Sequence, residues 1–198
     1  MNLAAVVSFF ARDRIDGWDT TNSKWVDGIA CGDLEAFEDV VRSGEGFMRT
    51  RLLSMAGDGK DLAGYAVLRI GGETGPVFLK GHGTVDVEFA DRTYQTTFQL
   101  RLSTAKLMRA AVVRTNSASG VAGTSVFQND KEYYADVTHR GSENDRIVQG
   151  VAASQATIYL PADCPAALDD KLSQGTDTYR IREVSPQSGL LVALCSRT

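Results

Sequence analysis

Apolar residues alternate with polar residues over most of the last two thirds of the chain. The longest run is 94–102, where every second residue is apolar or β-branched, and the same alternation occurs in 84–89. It returns in 179–184 and 190–194, on either side of the Pro- and Gly-containing segment 185–189. A period of two residues is typical of half-buried strands, and two such runs around a turn segment indicate a β-hairpin with a loop of about five residues. The chain is therefore predicted to be mainly β.

A helical segment is predicted nearer to the N-terminus. Asp33 is a candidate N-cap, and the apolar residues after it recur at helical spacing (Leu34, Phe37, Val40 and Val41). Residues 47–55 offer a second helical stretch, so 33–56 is predicted to be the main helical part. Residues 12–32 look polar and irregular, and 104–115 fits either a short helix or a strand. The predicted fold class is mainly β, as a small β-barrel or sandwich, with a helical N-terminal segment, and α+β overall.

Three segments are predicted along the chain, and no internal repeat is visible in the sequence. Residues 1–60 form an N-terminal arm and helical segment, 61–125 a β-rich region, and 126–198 a β-barrel hairpin region. Residues 3–10 are apolar, but no basic residues precede them and they are far shorter than the roughly 20 residues of a membrane span. We expect them to dock on the body of the protein or on a neighbouring subunit.

Composition excludes several classes of function. The formal net charge of −4 and the pI near 5.2 argue against a surface that coats nucleic acid. The three cysteines (Cys31, Cys164 and Cys195) are far apart and show no C-x-x-C pairing. This pattern predicts reduced thiols in a cytoplasmic setting, buried as small hydrophobic residues. With only two histidines, a zinc site is not expected.

The glycine-rich segment 71–81 is the first candidate for chemistry. A phosphate-binding loop needs Ser or Thr directly after its Lys and lies between a strand and a helix. Here Gly81 and His82 follow Lys80, and the next element has a strand pattern. The segment is therefore predicted to be a hairpin turn.

The two histidines and two adjacent aspartates are the remaining candidate site residues. His82 lies between two glycines, whereas His139 lies on the apolar side of a strand pattern, and structural roles are favoured for both. Asp169 and Asp170 would point in opposite directions from a strand, which favours a solvated loop. We predict no enzyme, and no catalytic, cofactor-binding or metal-binding residue. The alternative is a small hydrolase that uses His82 with a nearby carboxylate such as Asp86.

A series of features in the last third of the chain carries a resemblance to a known family. Strand patterns at 134–140 and 156–160 precede Asp170-Lys171-Leu172, which is followed by 175–184 and by a final strand ending near Cys195. With these features, residues 130–198 resemble the head–tail adaptor or head-closure (stopper) proteins of tailed bacteriophages. In that family an "aspartate, any, apolar" step precedes a Gly-containing turn and a strand, and the closing hairpin completes a small β-barrel. Residues 1–125 depart from the family, whose members are usually shorter.

The resemblance implies a structural component of the virion neck, assembled in the host cytoplasm. Such a protein forms a homo-oligomeric ring between portal and tail, retains packaged DNA and supports tail attachment. Its partners would be copies of itself, the portal or adaptor protein and tail proteins; DNA would pass without specific binding, and no membrane is involved. Segments 116–125 and 141–147 are expected to reach the channel or a neighbouring ring. The alternative within phages is another ring protein: a tail terminator, or a distal-tail or baseplate subunit.

Overall fold

The computed structural model describes residues 13–35, 42–43, 46–47, 50–89, 92–113, 124–140 and 155–198. Over these ranges the chain is built from β-strands, with a single short 3-10 turn at Lys60–Leu62. It divides into two compact units. One comprises Met1–Ser103 with Ser188–Leu190, and the other comprises Thr104–Gln187 with Leu191–Thr198. The division at residues 103/104 falls inside the predicted segment 61–125.

The first unit contains a closed six-stranded barrel. Its strands are β1 (Asp13–Asp19), β2 (Lys24–Leu34), β5 (Thr50–Ala56), β6 (Val67–Ile70), β7 (Val77–Phe89) and β8 (Arg92–Leu102), and the short pair β3 (Arg42–Ser43) and β4 (Gly46–Phe47) lies between β2 and β5 in the chain. The order around the barrel is β1–β2–β5–β8–β7–β6. The barrel closes where β6 pairs with β1, with Ile15 opposite Ile70. The core consists of Ile15, Leu53, Met55, Leu62, Leu68, Ile70, Phe78, Phe98 and Leu100.

The hairpin of β7 and β8 shows how the alternating sequence produces the barrel wall. Phe98 and Leu100 are buried and Gln99 between them is exposed, which confirms the strand predicted from the period of two. Residues 81–83, with two glycines, do not end the strand. Lys80 pairs with Leu100 and Gly83 with Phe98, so β7 carries one extra residue there. This is a β-bulge, which bends the strand without ending it.

The predicted helical segment is wrong, and with it the α+β class. Thr50–Ala56 is strand β5, in which Leu53 and Met55 are buried while Leu52 is 37% exposed. The apolar residues of this stretch are therefore arranged with a period of two residues. In a short apolar run this period cannot be distinguished from that of a helix. Leu34 ends strand β2 and pairs with Leu53. The other apolar residues of the predicted first helix (Phe37, Val40 and Val41) lie outside the described residues.

Residues 12–32, which were predicted to be irregular, also form regular structure where they are described. The hairpin of β1 and β2 occupies most of residues 12–32, with Trp18 opposite Trp25 across the two strands. The two indole rings meet edge to face, with centroids 5.3 Å apart. Cross-strand aromatic pairs stabilise a hairpin even where its sequence is otherwise polar.

The second unit contains a second closed six-stranded barrel. Its strands are β9 (Ala105–Val113), β10 (Thr124–Arg140), β11 (Gln155–Pro161), β12 (Lys171–Gln174), β13 (Asp177–Gln187) and β14 (Leu190–Arg197), in the order β10–β11–β14–β13–β12–β9. The ambiguous segment 104–115 is thus a strand where it is described. The core consists of Leu107, Tyr133, Ala135, Ala156, Ile158, Leu160, Cys164, Leu172, Tyr179, Ile181, Ala193 and Cys195.

The predicted closing hairpin is present, but its loop is shorter than expected. Strand β13 continues to Gln187, so that only Ser188 and Gly189 connect it to β14. Both residues have positive φ angles, 49° and 80°. Two consecutive residues of this kind match the twist of the flanking strands and make the tight two-residue turn that hairpins prefer.

Candidate functional site

Each barrel contains a buried carboxylate–guanidinium pair that sequence reasoning did not find. In the first barrel Asp16 has no exposed surface and Arg69 is 8% exposed. Asp16 lies on β1 and Arg69 lies opposite it on β6, at the pairing that closes the barrel. A buried charge of this kind needs both a partner and hydrogen bonds to offset the cost of leaving water.

The carboxylate of Asp16 accepts four hydrogen bonds. Its Oδ2 accepts from Nε and Nη2 of Arg69, at 3.0 and 2.8 Å. Its Oδ1 accepts from the backbone N–H of Gly28 at 2.8 Å and from Nε of Arg14 at 3.1 Å. Burial alone would raise the pKa of Asp16, but the hydrogen bonds from Gly28, Arg69 and Arg14 outweigh it and hold that pKa below its usual value. The group is therefore a fixed anion and is unsuited to donate a proton.

Arg69 is held from three directions. Besides Asp16, its Nη2 lies 3.1 Å from Oδ1 of Asp27. Its Cζ lies 4.6 Å from the ring centroid of Trp25, a cation–π contact. These contacts join β1, β2 and β6 on one side of the barrel.

The second barrel contains the pair Arg109–Asp170. Asp170 is 4% exposed, and its Oδ2 accepts from Nε and Nη2 of Arg109 at 3.0 and 2.9 Å. The backbone N–H of Ala167 also donates to this oxygen, at 2.9 Å. The prediction that both aspartates lie in a solvated loop is therefore wrong for Asp170. Asp169 has a φ of 71° and points elsewhere, to Nη2 of Arg180 at 2.7 Å.

The two histidines are not brought into a catalytic arrangement among the described residues. His82 lies in the bulge of β7 and is exposed. The side chain of Asp86 lies outside those described, so the His82–Asp86 pairing stays a prediction. His139 is exposed on β10, with its ring centroid 6.1 Å from that of Tyr179. It lies on the same face of β10 as the core residues Tyr133 and Ala135, as predicted, but at the exposed end of that face.

The cysteines differ in their surroundings. Cys164 and Cys195 are buried, as predicted, and burial raises the pKa of each thiol to about 12. They are neutral, unreactive members of the core. Cys31 is exposed on β2, contrary to the prediction. Within the ranges that the structure describes, no group of three or more His, Cys, Asp or Glu side chains could hold a metal ion.

The glycine-rich segment 71–81 forms a turn only in its first part, because residues 77–81 belong to strand β7. Residues 71–76 connect β6 to β7, and Gly71 and Gly72 both have a φ of 88°, which glycine adopts without strain. Lys80 lies on β7, where its Nζ donates to the carbonyl oxygen of Leu62 and burial lowers its pKa. Its ammonium group therefore binds the connection between β5 and β6 and is not placed in a phosphate-binding loop.

The segments predicted to take part in assembly fall almost wholly outside the described residues. This holds for 3–10, for 141–147 and for all of 116–125 except Thr124 and Ser125, which begin β10. No helix in the part of the chain that is described has the length and apolar character needed to span a membrane.

Comparisons of the chain with family models, with curated proteins and with solved structures find no match. The resemblance to head–tail adaptor and head-closure proteins therefore stays a prediction that rests on the sequence features of residues 130–198.

Proposed function

We propose that the protein is a structural subunit of the neck of a tailed-phage virion. It forms a ring between portal and tail, retains the packaged DNA and supports tail attachment. The observation that carries the proposal is the second barrel. The resemblance implies a small β-barrel completed by a C-terminal hairpin, and strands β9 to β14 form a closed barrel whose last two strands are the hairpin β13–β14.

The residues that carry the resemblance occupy positions that shape this barrel. Asp170 holds Arg109, and Leu172, two residues later, is fully buried in the core. Tyr179 and Ile181 of the following strand are also buried, with 2% and 0% exposure. The residues on which the resemblance rests are therefore residues that build the barrel, so the resemblance and the fold agree at these positions.

The charge of the chain is compatible with a DNA channel. Lys and Arg contacts to phosphates retard the movement of DNA because each contact displaces counterions and binds the backbone. A net charge of −4 disfavours such contacts. The partners in this proposal are neighbouring copies of the chain, the portal or adaptor protein and tail proteins, and the DNA passes without specific binding.

The proposal is tested by locating the protein and measuring its assembly. Native mass spectrometry of the purified chain, peptide mass spectrometry of purified particles and electron microscopy of those particles should together place a ring of this chain at the neck. Particles made without the protein should separate into heads that lose DNA and free tails of normal length. A chain that is monomeric and absent from particles would refute the proposal, and His82→Ala in a hydrolase screen would then test the enzyme alternative.

Heads that keep their DNA when the protein is missing would also count against a neck role. Free tails of abnormal length would instead favour a tail terminator, and tails with incomplete tips a distal-tail or baseplate subunit.

A further inference from the structure

The two barrels have the same strand order. Leaving aside β3 and β4, the first barrel is built from β1, β2, β5, β6, β7 and β8, and the second from β9 to β14. Numbered one to six within each barrel, the strands follow the circular order one–two–three–six–five–four in both. Short, un-knotted connections leave only a handful of orders for six strands, so the shared order gains its weight from further agreement between the barrels.

The connections between equivalent strands agree in two further ways. The longest connection in each barrel joins the second strand to the third, over residues 35–49 and 141–154. The fifth and sixth strands are joined by two residues in each case, 90–91 and 188–189. The first–second and fourth–fifth connections differ in length, as surface loops commonly do between related structures.

The connection between the third and fourth strands has the same role in both barrels. It comprises residues 57–66 in the first barrel and 162–170 in the second. Each contributes one buried residue to its core, Leu62 in the first and Cys164 in the second. Both residues come from irregular or 3-10 backbone and not from a strand.

The buried ion pairs lie at corresponding but not identical places. Asp16 on the first strand of one barrel binds Arg69, the residue opposite it on the fourth strand. Arg109 on the first strand of the other barrel lies opposite Leu172 of the fourth strand, and it binds Asp170, the residue directly before that strand. Each pair therefore connects the first strand to the fourth strand or to the residue before it, with acid and base exchanged.

We infer that the chain contains the same barrel module twice, each copy with its own buried Asp–Arg pair where the first strand meets the fourth. The sequence shows no repeat because a core tolerates extensive replacement when volume and pattern are kept. The N-terminal unit is accordingly a second copy of the module that carries the neck resemblance, and not an unrelated addition. The inference does not depend on the neck proposal.

Hydrogen exchange followed by mass spectrometry on the full-length free subunit tests the role of the two ion pairs, and superposition of the two barrels in an experimental structure tests the repeat. Asp16→Asn should speed exchange at least tenfold in the first barrel, most at β1 and β6, and leave residues 105–187 unchanged. Asp170→Asn should produce the mirrored result, with the largest effect at β9 and β12 and residues 13–102 unchanged. Glu73→Gln and Glu183→Gln, exposed charges in the first and second units, are matched controls that should change neither barrel.

Should Asp16→Asn unfold its barrel completely, Arg14→Gln removes only one hydrogen bond from Asp16 and gives a milder form of the same test. Faster exchange in both barrels after a single substitution would overturn the inference, and so would an effect centred on strands other than the first and fourth. An experimental structure in which the two barrels superpose only with a different strand order would overturn it as well. Because the free subunit is used, absence of the protein from particles would not affect these results.

Discussion

Replacing Asp16 by Asn changes almost no volume but removes the charge on which the closure of the first barrel depends. Each carboxylate oxygen accepts two hydrogen bonds: Oδ2 accepts from Nε and Nη2 of Arg69, and Oδ1 accepts from the N–H of Gly28 and Nε of Arg14. Asn offers only one acceptor oxygen. Whichever way its amide group turns, the NH2 group faces two N–H donors, so one pair of hydrogen bonds is lost and replaced by repulsion.

The free energy of unfolding that Asp16→Asn removes follows from the burial of the Asp16–Arg69 pair. Arg69 is 8% exposed and Asp16 has no exposed surface, so water cannot replace the lost bonds. Breaking a buried ion pair by removing one partner typically costs about 3–5 kcal/mol. The bond from Arg14 adds little, because the side chain of Arg14 is 54% exposed. A domain of this size has a total stability of roughly 5–15 kcal/mol, so the substitution removes a large share of it.

Tryptophan fluorescence measures this effect selectively. The chain has two tryptophans, and both Trp18 and Trp25 lie in the first barrel, so their emission reports the unfolding of that barrel in the full-length protein. With a urea m-value of about 1.5 kcal/mol/M, the midpoint should fall by roughly 2–3 M. Glu73→Gln, an exposed charge in a turn, is the control and should shift the stability by less than about 0.5 kcal/mol. An Asp16→Asn midpoint equal to that of the control would refute the reasoning.

Three further outcomes follow from the same structure. The pKa of Asp16 is lower in the folded chain than in the unfolded chain, so its contribution to stability is complete above roughly pH 4 and is lost as the pH falls below that value. Below about pH 4 the tryptophan-monitored midpoint should therefore fall more steeply in the unmodified chain than in Asp16→Asn. A thiol reagent at pH 8 should modify Cys31 rapidly in the native protein and the two buried thiols only after denaturation, whereas three fast reactions would contradict their burial. Leu62→Ala should lower the free energy of unfolding by about 2–5 kcal/mol because it leaves a cavity, whereas Leu52→Ala, at a position 37% exposed, should lower it far less. Equal midpoints for the two variants would show that Leu62 does not fill the core.

The sequence predicted the strands that combine alternation with clear turns. Strand β8, the turn at residues 71–76 and the C-terminal hairpin were found because a half-buried strand imposes a period of two on its own residues. Strand β5 was misread as helix because its apolar residues are too few to separate the two periods. The hairpin of β1 and β2 was missed because a cross-strand Trp pair and a buried aspartate do not produce an apolar pattern.

The buried ion pairs could not be found by spacing along the chain. Asp16 and Arg69 are 53 residues apart, and Arg109 and Asp170 are 61 residues apart. Only the closure of each barrel brings the partners together. One signal was present: Arg69 lies inside the apolar run Val67–Ile70, where a charged residue requires a buried partner. The sequence does not identify that partner.

The opposite arrangement of the two ion pairs has a consequence for folding. Adjacent domains with the same topology are prone to exchange strands and misassemble. If β1 replaced β9 beside β12, Asp16 would meet Asp170. If β9 replaced β1 beside β6, Arg109 would meet Arg69. Both exchanges would bury two like charges together, which is strongly unfavourable. The double variant Arg109→Asp with Asp170→Arg, which gives both barrels the same arrangement, should therefore refold with more misassembled protein by size-exclusion chromatography, and an unchanged refolding yield would contradict this. The sign of the charge on the first strand thus distinguishes the two barrels while the chain folds.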